Sequence, residues 1–260
     1  MHDRTAEEST LAAMLNTAGM NYATVRDYCD LYDRFRSLAT HQNDLKDVQR
    51  PWTVAALLKA MPPPARVLEI GGGEPLAASV MASHGYAVTL CDPFDGSGHG
   101  PTDFDVCRKR FPGITFRRMR YTADVARQDR DRPFDAICSI SVLEHVPPPA
   151  MDDLFAAVRL GLRQGGASIH CMDIVVQGNG TDYHLDQLAR VLGHQARLTG
   201  CPISEDEPAA RVRGMHAECL ADLETFFLSP QGHNLWRGAT PYADFPFRKV
   251  ISAQSVVHKA

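Results

Sequence analysis

The sequence predicts an open α/β fold: a single sheet of seven strands, mostly parallel, with helices on both faces. Two observations carry this expectation. Short apolar runs of strand length recur at 66–70, 86–91, 114–119, 134–141 and 167–172, and they alternate with stretches whose apolar residues have helical spacing. The first run, Arg-Val-Leu-Glu-Ile, ends in Gly71, Gly72 and Gly73, where a parallel strand would turn into its crossover helix. A chain of 260 residues with 44% apolar composition is long enough for one such core and a modest appendage.

Taken in order, residues 1–22 are weakly patterned. From Val25, the residues Val25, Tyr28, Tyr32 and Phe35 recur at helical spacing, with Arg26, Asp30, Asp33 and Arg34 opposite. A second helix is expected to begin near Pro51 and to carry Trp52, Val54, Leu57 and Leu58 until Met61-Pro-Pro-Pro64 stops it. After the glycines, Pro75 to His84 reads as a crossover helix closed by Gly85 at a left-handed cap position. Tyr86 to Cys91 is the second strand and ends in Asp92, about twenty residues past the glycines, where a carboxylate can accept hydrogen bonds from the ribose hydroxyls of an adenosine.

Residues 93–101 form a turn-rich loop expected to edge a pocket. A short helix runs from Thr102 to Phe111, the third strand from Ile114 to Met119, and the fourth from Phe134 towards Ser141. Met151 to Leu162 is amphipathic and helical, and Ala167 to Met172 is the fifth strand, with Asp173 at its tip. Beyond it the patterns predict a helix over 183–198, an acidic connector over 201–212, a helix over 219–227 and a last strand over 247–257.

Composition excludes several classes. A net charge of −4 and a pI near 6.2 give no global positive field for a phosphate backbone, so no nucleic-acid partner is expected. The seven cysteines are scattered without C-x-x-C spacing, which argues against a zinc site and fits a reduced, cytoplasmic protein. No run of apolar residues has the length of a signal peptide core or a membrane span, so no membrane insertion is expected.

Two stretches carry a resemblance. Glu69 followed by Gly71-Gly72-Gly73, and Phe134-Asp-Ala-Ile-Cys-Ser-Ile-Ser-Val-Leu-Glu-His-Val-Pro147, resemble the first motif and the fourth-strand motif of class I S-adenosylmethionine-dependent methyltransferases of the small-molecule type. Arg163-Gln-Gly-Gly166 is similar to that family's Leu-x-Pro-Gly-Gly, with Gln164 in place of the proline. The resemblance implies a Rossmann-like sheet whose last strand is antiparallel beside strand five, and S-adenosyl-L-methionine as cofactor. It implies a cofactor site formed by Glu69, Gly71, Gly72, Gly73, Asp92, Asp124, Val125 and Ser141, Asp124 holding the adenine amino group and Val125 packing its ring. It divides the chain into an N-terminal helical segment (1–63), a cofactor-binding core (64–173) and a lid with closing strands (174–260).

Methyl transfer from a sulfonium is an in-line displacement, so the protein's remaining task is to deprotonate the acceptor. His145, Asp173 and His184 are the candidate catalytic residues, the first fixed by the motif and the others placed by topology. No metal is expected, because serines occupy the end of strand four and Ile174 follows Asp173. Pro147 to Pro149 lack the preceding Asp or Asn and the following aromatic residue of amide and nucleobase N-methyltransferases, so the expected reaction is O-methylation of a small molecule or glycan ahead of N-methylation. Two rivals stand beside it: a non-catalytic member of the same fold, and a nicotinamide-dependent oxidoreductase, whose third fingerprint glycine would fall where Leu76 stands.

Overall fold

The computed structural model describes residues 20–40, 44–97, 102–200, 203–237 and 240–260; the weakly patterned start and the tip of the 93–101 loop lie outside the described residues, apart from 20–22. One sheet of seven strands runs through the molecule: β1 (Asn21–Tyr22), β2 (Arg66–Ile70), β3 (Ala87–Asp92), β4 (Thr115–Arg118), β5 (Phe134–Ile140), β6 (Leu162–Gln177) and β7 (Lys249–His258). Their order is β1-β7-β6-β5-β2-β3-β4. The strands from β6 to β4 are parallel, and β7 is antiparallel to both of its neighbours, as expected.

The helices are α1 (Val25–Arg34), α2 (Lys46–Ala60), α3 (Leu76–Ser83), α4 (Phe104–Arg110), α5 (Ala123–Arg127), α6 (Pro148–Gly161), α7 (Thr181–Leu198), α8 (Glu207–Ala221) and α9 (Pro230–Arg237). They bury two apolar layers. On one face Leu31, Trp52, Leu57 and Met81 pack with Val88 and Leu90 of the sheet; on the other Phe155, Val158, Leu188 and Val191 pack with Ile137 and Ile251. β2 and β5, covered on both faces, are accordingly apolar nearly throughout. α1 starts at a capping box, in which Thr24 Oγ1 accepts the Asp27 N–H and Asp27 Oδ2 accepts the Thr24 N–H.

Four boundaries differ from the sequence reading. α2 begins at Lys46 and carries Pro51 in its interior, because the Leu45 carbonyl oxygen already accepts the N–H groups of Val48 and Gln49 and the helix is nucleated before the proline. β6 is sixteen residues long. It is paired with β5 only as far as Cys171, but β7 continues the ladder to Gln177, so Asp173 lies within the strand and just beyond the end of its parallel pairing. The acidic stretch from Glu207 belongs to α8, since Pro208 sits in the first helical turn, where a missing N–H costs nothing. That helix stops at Ala221, and Thr225 and Phe227 instead form isolated bridges to Thr24 and Ile251.

Candidate active site

β2 lies in the middle of the sheet, so its carboxyl end opens between β3 and β5. The chain turns there at Gly71, whose N–H donates to the Cys91 carbonyl at 2.9 Å. Gly71 has φ +65°, and a Cβ on it would stand 2.6 Å from Val142 Cγ2, so only glycine fits. Gly73, at φ +52°, has no heavy atom within 4 Å of where a Cβ would stand, and its backbone is open to a cavity. That cavity, about 480 Å³, is lined by Glu69, Gly71 to Pro75, Asp44, Lys46, Arg50, Arg110 and Ser141, among others. Its size falls in the range of small-molecule and cofactor sites.

Two carboxylates support the turn. Glu69 is 2% exposed and accepts the Ala78 N–H at the start of α3; its Oε2 is buried and has no hydrogen-bond partner among the described residues. Burial pushes its pKa up to about 8, with Arg50 acting in the opposite direction. Asp92 is also buried, and burial raises its pKa; it accepts the Phe94 N–H at 2.7 Å and the Gly73 N–H, clamping the glycine turn against the end of β3.

A second polar cluster sits at the ends of β5 and β6. Ser141 occupies the left-handed region at φ +51°, a strained conformation for a residue with a Cβ. Its Oγ donates to Gln49 Oε1 at 2.7 Å and approaches Asp173 Oδ1 at 3.1 Å, and Gln49 Nε2 donates to the same Asp173 oxygen at 2.8 Å. Glu144, 4% exposed, accepts the Asp173 N–H at 3.1 Å through Oε1, while its Oε2 has no partner among the described residues. Burial first, then the charge of Asp173, pushes Glu144 well above the usual carboxylate range, and burial also raises Asp173. His184 Nδ1 lies 3.1 Å from the Asp173 carbonyl oxygen. A carbonyl only accepts, so Nδ1 carries the proton and Nε2 keeps its lone pair. Burial lowers the His184 pKa, with Arg248 adding to the effect, which favours this neutral form.

The structure therefore brings together Glu69, Gly71 to Gly73, Asp92 and Ser141 around one end of β2, and Asp173 and His184 at the neighbouring end of β6. His145 follows Glu144 in a single 3₁₀ turn and sits at the rim of that cluster, its side chain 52% exposed and its Nε2 3.9 Å from Glu144 Oε1. Asp124 and Val125 lie outside both groups. Asp124 points to solvent from α5, 89% exposed and paired with Arg127, and Val125 packs into the apolar layer on the α6 side. Thr122 caps α5 through the Val125 N–H, and this rotates Asp124 outward.

Sequence reasoning missed Lys46, Gln49 and Arg50. Their signal was present: with Thr53 they recur at the spacing of one helix face, polar throughout, in a segment that becomes buried once α2 is seen to start before Pro51.

Bare backbone at the centre of a parallel sheet, opening on a cavity between two acid-bearing strand ends, is the cofactor position of open α/β sheets and agrees with the resemblance of the two motifs to class I S-adenosylmethionine-dependent methyltransferases. A family model described as a methyltransferase domain matches residues 41–194, more than half of the chain, and the chain belongs to that family. Protein-L-isoaspartate O-methyltransferase 2 of Shewanella sediminis is 28% identical over 167 residues, 59% of this chain and 64% of that protein, so the match spans less than two thirds of the relative's length. Among solved structures, Burkholderia thailandensis 1,6-didemethyltoxoflavin-N1-methyltransferase, bound to 1,6-didemethyltoxoflavin and S-adenosylhomocysteine, aligns with 14% identity over 96% of this chain and 89% of that one, at a TM-score of 0.44. Haemonchus contortus phosphoethanolamine N-methyltransferase 2, in complex with S-adenosyl-L-methionine, aligns with 16% identity over 91% and 57% of the two chains, at 0.43. The methyl donor of the class is S-adenosylmethionine, and the site fits it through the Glu69 oxygen that has no partner among the described residues and the open face of Gly73.

Proposed function

We propose that the protein methylates a small-molecule acceptor whose nucleophile is deprotonated beside Asp173. The observation that carries this reading is one cavity reaching from the glycine turn to Ser141, Asp44 and Lys46, so that donor cradle and acid cluster adjoin. When bound, S-adenosylmethionine supplies an electrophilic methyl group on a sulfonium. Glu69 and Gly71 to Gly73 would hold the donor, Asp92 would keep the turn in place, and Ser141 marks the boundary with the acceptor. Asp173, raised by burial yet hydrogen-bonded by Gln49 and Ser141, is suited to take a proton, and His184 Nε2 is a second acceptor for it. His145, half exposed, shapes the rim.

We assign residues 1–63 and 174–260 to the acceptor side and 64–173 to the donor side, with Glu144 and Asp173 at the strand ends where the two sides meet. A glycan acceptor remains within this reading, as does the oxygen nucleophile expected from the sequence. A cytoplasmic location is supported by six described cysteines that are all free. Among the described residues no helix is long and apolar enough to cross a membrane.

The test is release of S-adenosylhomocysteine from S-adenosylmethionine in the presence of pooled small alcohols, amines and sugars. Release above the acceptor-free rate is expected, reduced about 10²- to 10⁴-fold in Asp173→Asn and little changed in His145→Gln. The reverse ranking of the two variants would move the base to His145.

A further inference from the structure

The acid cluster holds acceptors that its own hydrogen bonds leave unused. Gln49 Nε2, Ser141 Oγ and the Asp173 N–H are already spent on oxygens within it. What remains is Glu144 Oε2, 4% exposed and without a partner among the described residues, and the Nε2 lone pair of His184. An independent observation points to the same place. Ser252 stands directly across the β6–β7 ladder from Asp173, on the same face of the sheet, and its hydroxyl is fully buried with no partner among the described residues. A buried polar atom without a partner calls for one, and a ligand that brings hydrogens would supply it at both places. Charge agrees with hydrogen bonding: Asp44 acts on Asp173 and Asp173 on Glu144, and Lys46 opposes both effects. A neutral alcohol would bring one O–H, whereas an ammonium group brings three N–H bonds and a positive charge.

We propose that the acceptor is an amine, received as its ammonium ion between Glu144, Asp173 and Ser252 and methylated on nitrogen. This deepens the methyltransferase reading and rests on it, and it reverses the preference for oxygen drawn from the sequence. The ammonium gives one proton to the Asp173 carboxylate. The freed nitrogen lone pair forms the N–C bond while the C–S bond breaks, its electron pair remaining on sulfur. The product leaves as a methylated ammonium, and Asp173 returns its proton to water.

The experiment is calorimetric titration of the S-adenosylhomocysteine-saturated protein with matched primary amines and alcohols on ethyl, cyclohexyl, benzyl and 2-phenylethyl skeletons. At least one amine is expected to bind tenfold or more tightly than its alcohol, and Glu144→Gln and Asp173→Asn to abolish that preference while S-adenosylhomocysteine affinity stays within about threefold. Equal affinity for every pair, or no saturable binding of any amine, overturns the proposal in the wild-type protein alone, whatever the variants do. So does a preference that survives both substitutions, or a loss of S-adenosylhomocysteine affinity in both, which would give the acids to the donor. Failure of the wild-type protein to bind S-adenosylhomocysteine would instead overturn the methyltransferase reading beneath it.

Discussion

Glu69 presents the clearest consequence of burying a carboxylate beside bare backbone. Its pKa is about 8 in the folded chain against roughly 4.3 when unfolded, so between these values the folded protein keeps a proton that the unfolded chain has lost. Stability should fall as pH rises through that window, by at most about 1.4 kcal/mol per pH unit, and level off above it. Glu69→Gln should therefore gain Tm over the wild type at pH 8 and lose that advantage at pH 5; an equal difference at both values would show that Glu69 ionises freely in the fold. Asp92 behaves differently because its oxygens are already used by the Phe94 and Gly73 N–H groups. Asp92→Ala should cost about 1–3 kcal/mol in urea denaturation, together with donor affinity. Unchanged S-adenosylhomocysteine binding in that variant would remove Asp92 from the donor site. Both residues were legible in the sequence, since an acid at each of two apolar strand ends is costly unless used. Asp124 was not, because its direction depends on how Thr122 caps α5, and Glu144 was passed over beside the better-known chemistry of His145.

At the scale of elements, the glycine turn is fitted to β3 as closely as to the cavity. A Cβ on Gly72 would lie 2.4 Å from Leu90 Cδ1 and 2.8 Å from its Cγ, in a fully packed layer. Gly72→Ala should destabilise the protein by about 1–3 kcal/mol, read as a lower urea midpoint at unchanged slope. A midpoint equal to the wild type would mean that Leu90 can move aside. The strands β2, β3 and β5 were readable because each is a short, largely apolar run closed by turn residues. The course of β6 past Asp173 was not, since its last residues are held by β7 from the far end of the chain. The start of α2 was hidden by Pro51, whose usual place in the first turn drew the boundary several residues too late.

Over the whole molecule, two apolar layers fix the sheet, and the sheet fixes which strand ends meet. The order β6-β5-β2-β3 puts the glycine turn between Asp92 on one side and Ser141 and Asp173 on the other. The α/β class followed from periodicity alone. The acceptor side did not, because it is assembled from α2, the turn after β5, β6 and α7, segments distant in sequence that share no local pattern. The glycine turn and the strand ends around it form the binding site for a sulfonium methyl donor. Calorimetric titration of the wild-type protein with S-adenosylhomocysteine, with NADH as the control, is the decisive measurement. One molecule of S-adenosylhomocysteine bound per chain and no heat from NADH is the predicted result; saturable binding of NADH with none of S-adenosylhomocysteine would contradict it.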